Sequence, residues 1–304
     1  MRRKILVICL ALVMVIPFVS CTNVPSVQDI MDGMEGVAED VTSVSCDMDV
    51  DLDILYSTDS EDVTMISAEA ALSTTADTAN RQMQMEADVD LSISDPASSS
   101  MEGYVSMGMG LAFYLVDDVA YIMMDDPLEG VSWGKYEIPA EAIQQIEEMM
   151  GEGMNLARLQ TGLLEVSEVV VEASDSINGV DCYRLKLTLD ADKIWQKLEQ
   201  QAQEMGEEIP EDVDLDMLEK IIQGVSITQW VAKDTYYTAK IEVMLDMEID
   251  SGDFESATEE GAISINGSFT LELYDYNQPV SIELPPEAEE AEDIMDGLMP
   301  TFMP

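Results

Sequence analysis

Between Cys46 and Ile54 every even-numbered residue is apolar or a cysteine, and every odd-numbered one is aspartate. A period of two sets one face of a strand in a core and the other in water. The same alternation returns at Met83, Met85, Ala87, Val89, Leu91 and Ile93, at Ala239, Ile241, Val243, Leu245, Met247 and Ile249, and at Ile263, Ile265, Phe269, Leu271 and Leu273. Runs of about 12 residues at ~3.3 Å each reach roughly 40 Å, about twice the usual strand, and predict a large curved antiparallel sheet. Turn-forming stretches at 57–61, 73–80 and 94–100, with Asp117-Asp118 and Lys233-Asp234, separate the runs and make neighbours hairpin partners.

Helical spacing is confined to a few segments. Ile143, Ile146, Met149 and Met150 follow Pro139, and Leu156, Leu159 and Leu163 continue after Gly153. A second helix is predicted from an Asp190 or Asp192 cap through Ile194, Trp195, Leu198 and Met205, and a third through Leu215, Leu218, Ile221 and Ile222 to Gly224. The fold class is α+β: one sheet of about 11–12 strands, with a few helices covering its concave face. The predicted layout is a leader over 1–20, a tether with a first helical segment over 21–40, one domain over 41–284, and an acidic flexible tail over 285–304 carrying Glu287, Glu289, Glu290 and Glu292.

The N-terminus adds an address. Arg2-Arg3-Lys4, an apolar run from Ile5 to Val19 and then Ser20-Cys21 form an export signal, too short for the roughly 20 residues of a membrane span. Phe18-Val19-Ser20-Cys21 resembles a bacterial or archaeal lipobox, whose cysteine takes a diacylglycerol and becomes the new N-terminus. Two acyl chains suffice for stable anchoring where one does not. The expectation is an extracytoplasmic protein held to the cell membrane through lipidated Cys21; a cleaved secretory leader without lipid is the alternative.

Charge narrows the partners. The 304 residues carry 13 basic against 63 acidic side chains, net −50, and three of the basic ones lie in the leader. A phosphate binder must supply Lys and Arg, so nucleic acid is excluded. Such a body repels itself, which predicts that the folded state leans on dissolved cations. With no histidine in the chain, Ser-His and Cys-His nucleophile pairs and His-rich zinc sites cannot form. Asp47-x-Asp49-x-Asp51 opens like a calcium loop, yet Leu52 stands at the sixth position and Thr58 at the twelfth, so the aspartates read as a solvated strand face and no metal is expected. No glycine run meets the strand-to-helix context of a nucleotide loop, no general acid stands out, and neither a cofactor nor an enzymatic role is expected. Of four cysteines, Cys46 and Cys182 remain outside the leader and anchor, either as a disulfide or as packed thiols. The 23 methionines fit either an adaptable binding wall or plain core filling.

One resemblance gathers these features. The lipobox, the meander of long amphipathic strands, the hairpin from Ala112 to Tyr121, the run Asn178-Gly179-Val180-Asp181-Cys182-Tyr183 and the late Trp230-Val231-Ala232-Lys233-Asp234-Thr235-Tyr236-Tyr237 make the chain resemble the LolA/LppX-like lipoproteins. The resemblance implies an antiparallel half-barrel whose apolar concave face, covered by helices, encloses acyl chains or another greasy ligand. The candidate cavity wall is Met48, Val50, Leu52, Met85, Val89, Leu91, Ile241, Val243, Leu245, Phe269 and Leu271. The expected function is binding or carriage of a lipid or other hydrophobic molecule by a membrane-anchored lipoprotein; a non-enzymatic envelope interaction or sensory ectodomain with a filled core is the alternative.

Overall fold

The aspartate alternation becomes β1 (Ser43–Ser57), which lies at the middle of the sheet between β2 (Asp62–Asp77) and β12 (Ala262–Tyr274). The computed structural model describes residues 25–38, 40–57, 62–94, 104–128, 130–139, 162–205, 215–250 and 262–293. From β2 the chain meanders outward through β3 (Gln82–Ser94), β4 (Tyr104–Val116), β5 (Val119–Asp126) and β6 (Gly130–Glu137). The opposite wing is built from the far edge inward. It comprises β7 (Ser167–Val171), β8 (Asp175–Ile177), β9 (Val180–Leu189), β10 (Val225–Ala232) and β11 (Thr238–Asp250), with β12 closing against β1. Every pairing among these strands is antiparallel. The result is an open curved sheet with a few helices, the α+β architecture that the periodicity predicts and the half-barrel that the family resemblance implies.

Local chemistry fixes the hairpins. Asp117 and Asp118 both take positive φ (52° and 63°), and so do Asn178 and Gly179 (50° and 86°), the conformation of two-residue turns whose twist matches that of the strands they join. β2 runs on to Asp77 through residues whose Ser-Thr content suggested a turn, because Thr74 and Thr75 are β-branched and Thr74 and Ala76 face the covered side. The reversal itself falls at 78–81, where Arg81 takes φ 55°.

Four helices described at both ends accompany the strands: α1 (Val27–Ala38), α2 (Ala191–Met205), α3 (Leu215–Gln223) and the single turn α4 (Pro286–Glu289). α1 starts at a capping box, in which the Ser26 N–H donates to the Asp29 carboxylate (2.9 Å) and the Asp29 N–H to Ser26 Oγ (3.1 Å). The Ser26 hydroxyl also donates to that carboxylate (2.7 Å), and this bond, followed by the one from the Ser26 N–H, holds the Asp29 carboxyl below its ordinary range. Asp190 caps α2 by accepting from the Lys193 N–H, as its sequence predicts. The helix expected over 139–163 lies almost wholly outside the described residues, and only a helical turn at 162–165 is seen.

Two boundaries move. Ile30 and Met34, one turn apart on α1, are buried in the main core with Leu164, Leu185, Leu187, Ile227 and Val231, so the first helical segment expected beside the tether over 21–40 packs into the domain expected to begin at 41. Gly33 permits this docking: a Cβ there would lie 2.5 Å from the Tyr236 ring. At the other end, residues 285–293 are not a tail. Ala288 and Ala291 are buried, and β13 (Glu292–Asp293) pairs in parallel with β6, which brings the sheet to thirteen strands. Small apolar residues among the glutamates let this acidic segment pack, a signal that charge counting overlooks.

Candidate ligand-binding site

Strand register turns the alternation into rows that cross the sheet. One row reads Val171, Leu185, Gln229, Ile241, Leu271, Met48, Leu72, Ala87, Leu111 and Met124, from β7 to β5. The next reads Val169, Leu187, Ile227, Val243, Phe269, Val50, Ala70, Val89 and Met109. A third holds Val225, Leu245, Gly267, Leu52, Ala68, Leu91 and Met107. Met85 lies in a fourth, beside Thr74 and Phe113. All eleven predicted wall residues therefore share one face, and every one of them is half-buried rather than sealed.

Burial changes along these rows. At the β9–β10 end, Leu185 and Leu187 are covered by α1, which brings Ile30 and Met34 onto them. At the β4–β5 end, Met107 is 50 % exposed, Met109 39 % and Met124 46 %, and Ile93 and Val105 beside them are exposed as well. Exposed methionines in phase with core residues are a flexible apolar surface continuous with the core. Sequence reasoning left Met107 and Met109 out of this wall; their phase with Leu111 and Phe113 was the available signal. It also missed Gln229, whose phase with Ile227 marks it as a polar residue on the apolar side of its strand.

The opposite face carries the charge, unevenly. Asp51, Glu69 and Asp90 stand directly opposite one another across β1, β2 and β3, with Gly108 next in line. Asp49, Ala71, Asp88, Gly110 and Asp125 form the row beside them. Two shallow grooves of about 300 and 270 Å³ run over these carboxylates, the second across the two glycines. Among the described residues no three carboxylates or thiols converge as metal ligands.

On the other wing the row is Arg184, Trp230, Lys240 and Glu272. Arg184 and Lys240 lie 5.6 and 5.4 Å from the Trp230 ring centre, and Lys240 pairs with Glu242 (3.4 Å) and Glu272 (3.8 Å). The Trp230 indole N–H donates to Asp175 at 3.3 Å.

Cys46 and Cys182 are free thiols on strands four places apart, about 19 Å at ~4.8 Å per strand, too far for a bridge. Burial pushes both thiols up from their ordinary range, which suits packing rather than nucleophilic chemistry. Cys21 lies outside the described residues. Among those that are described, no helix is long and apolar enough to cross a membrane.

No curated protein matches the chain. Among solved structures it is similar to the lipoprotein LppX of Mycobacterium tuberculosis, with 14% identity and a TM-score of 0.34 over 85% of this chain and 100% of that one. It is similar also to LprF of Mycobacterium bovis, with 14% identity and a TM-score of 0.33 over 85% and 96%. A LolA superfamily protein of Nitrosomonas europaea aligns with 11% identity and a TM-score of 0.21 over 86% and 96%. Residues 26–293, nearly all that the structure describes, match the model of a family of unknown function, DUF6612, and the chain belongs to that family.

Proposed function

We propose that the protein is an extracytoplasmic lipoprotein, anchored through Cys21, that binds a lipid or another amphipathic molecule along the apolar face of its sheet. One observation carries the reading: the rows that begin in the core under α1 continue without a polar break from β11 to β4 and emerge as exposed Met107 and Met109. Such a face gains about 25 cal/mol for each Å² of apolar surface it removes from water, and an acyl chain supplies about 0.8 kcal/mol per buried CH₂. Half-buried Val50, Val89, Val243 and Phe269 offer contact along the middle of the face, while Leu185 and Leu187 are already covered by the protein itself. The acidic opposite face keeps anionic surfaces at a distance and leaves the apolar side as the one that meets lipid.

The test is solvent extraction of the protein purified from its own membranes, followed by mass spectrometry. The expected result is a bound acyl species in near-stoichiometric amount. Val89→Trp, at the half-open middle of the face, should fold with an unchanged midpoint and lose that species. An extract without ligand, together with a Val89→Trp variant destabilised by the roughly 1–3 kcal/mol of an overpacked core, would replace this reading with that of a filled interaction domain.

A further inference from the structure

Gln229 is the exception in the longest apolar row. Its cross-strand neighbours are Leu185 and Ile241, and Ile227 and Val231 flank it on its own strand in the same phase. The side chain is 1 % exposed. Its Nε2 donates to Thr238 Oγ1 at 2.9 Å, and its Oε1, buried as well, has no hydrogen-bond partner among the described residues. Turning the amide over does not cure this. Thr238 offers one hydroxyl, so one end of the amide stays unpartnered in either orientation; with Nε2 on Thr238, as observed, that end is the oxygen, an acceptor that calls for a donor.

A buried acceptor without a donor carries a desolvation cost that an isosteric leucine would not. The surroundings argue against water as the donor, because a buried water needs two to four polar partners and this site offers the Gln229 amide and the Thr238 hydroxyl amid aliphatic side chains. A donor joined to an apolar body fits better, since burial of that body drives the donor into place.

We propose that Gln229 is the polar anchor of the apolar face: its free amide end hydrogen-bonds the hydroxyl or amine of an amphipathic ligand whose alkyl chain runs along Ile241, Leu271 and Met48 toward the exposed methionines. The inference rests on the lipid-binding reading above and narrows it to molecules with a hydrogen-bond donor at the buried end. Entry requires the partly buried cross-strand neighbour Ile241 to shift, which its place at the margin of the core allows.

The test is a calorimetric titration of the full-length protein with 1-decanol and with decyl methyl ether, a pair matched in chain and differing in the donor. The alcohol should bind about five- to tenfold tighter, the worth of one net hydrogen bond. Gln229→Leu should bind both with the affinity that the wild type shows for the ether; Gln229→Met, closer in length, serves if the leucine variant does not fold. Equal binding of both probes by the wild type overturns the anchor and leaves the lipid-binding reading standing. A preference that survives in Gln229→Leu or Gln229→Met overturns it too, and binding of neither probe overturns the anchor together with the reading beneath it.

Discussion

The two wings that flank β1 are built from the same alternating strands, yet they solve opposite problems. In the β9–β11 wing the apolar face is capped by α1, with Ile30 and Met34 seated on Leu185, Leu187, Ile227 and Val231. Its outer face pairs unlike groups, Arg184 and Lys240 around Trp230 with Glu242 and Glu272 close by. On the other side the apolar face of β3–β5 carries exposed Ile93, Met107, Met109 and Met124, and the outer face from β1 to β3 sets Asp51, Glu69 and Asp90 against one another. One wing holds the fold, and the other offers surface at a cost in stability. Contacts on the open wing can vary without disturbing the core, which is the division that the proposed lipid binding would need.

The largest expected difference tests that division directly. Leu185→Ala should cost about 2–5 kcal/mol in a urea titration, since it leaves a cavity beneath α1, whereas Met107→Ala should stay within about 0.5 kcal/mol of the parent. Similar losses at both sites would erase the distinction between a packed wing and an open one.

A smaller effect separates the two outer faces. Glu69→Lys places a cation between Asp51 and Asp90 and should stabilise the protein by about 0.5–1 kcal/mol in low salt, the scale of a directly opposed cross-strand pair. The gain should fade in molar salt, where the parent itself melts at a higher temperature because its carboxylates are screened. A parent whose midpoint is indifferent to salt would mean that the acidic rows impose no strain.

An effect of similar size lies within the open wing. The Tyr114 hydroxyl donates to Glu86 at 2.6 Å, and burial, followed by that carboxylate, pushes the phenol above its ordinary value. Tyr114→Phe should lose about 1 kcal/mol at neutral pH. A phenol raised in the folded state contributes fully below its unfolded value near 10 and loses that contribution as pH rises beyond it. Stability of the parent should therefore fall faster than that of Tyr114→Phe above pH ~10. Parallel decline in the two proteins would show that the phenol ionises as freely folded as unfolded.

Much of the fold was legible because alternation is a local property. Cys46 to Ile54, Met83 to Ile93 and Ala239 to Ile249 each declare which side faces the core, and the observed register brings those sides together. What was not legible depended on distant partners. The covering role of α1 required Ile30 to meet Leu185 across more than half the chain, and Ala288 and Ala291 revealed their burial only once the acidic segment crossed to β6. Gln229 was visible as a residue, but its unpartnered Oε1 was not, since that is a fact about Leu185, Ile241 and Thr238 around it.

The sequence by itself thus determined strand length, the two faces, and the excess of negative charge on one of them, because a period of two and a carboxylate need no tertiary context to be read. Tertiary structure decided how the apolar face is shared between core and open wall. A single strand cannot say which of its neighbours a helix will cover, for that choice is made by contacts between segments far apart in the chain.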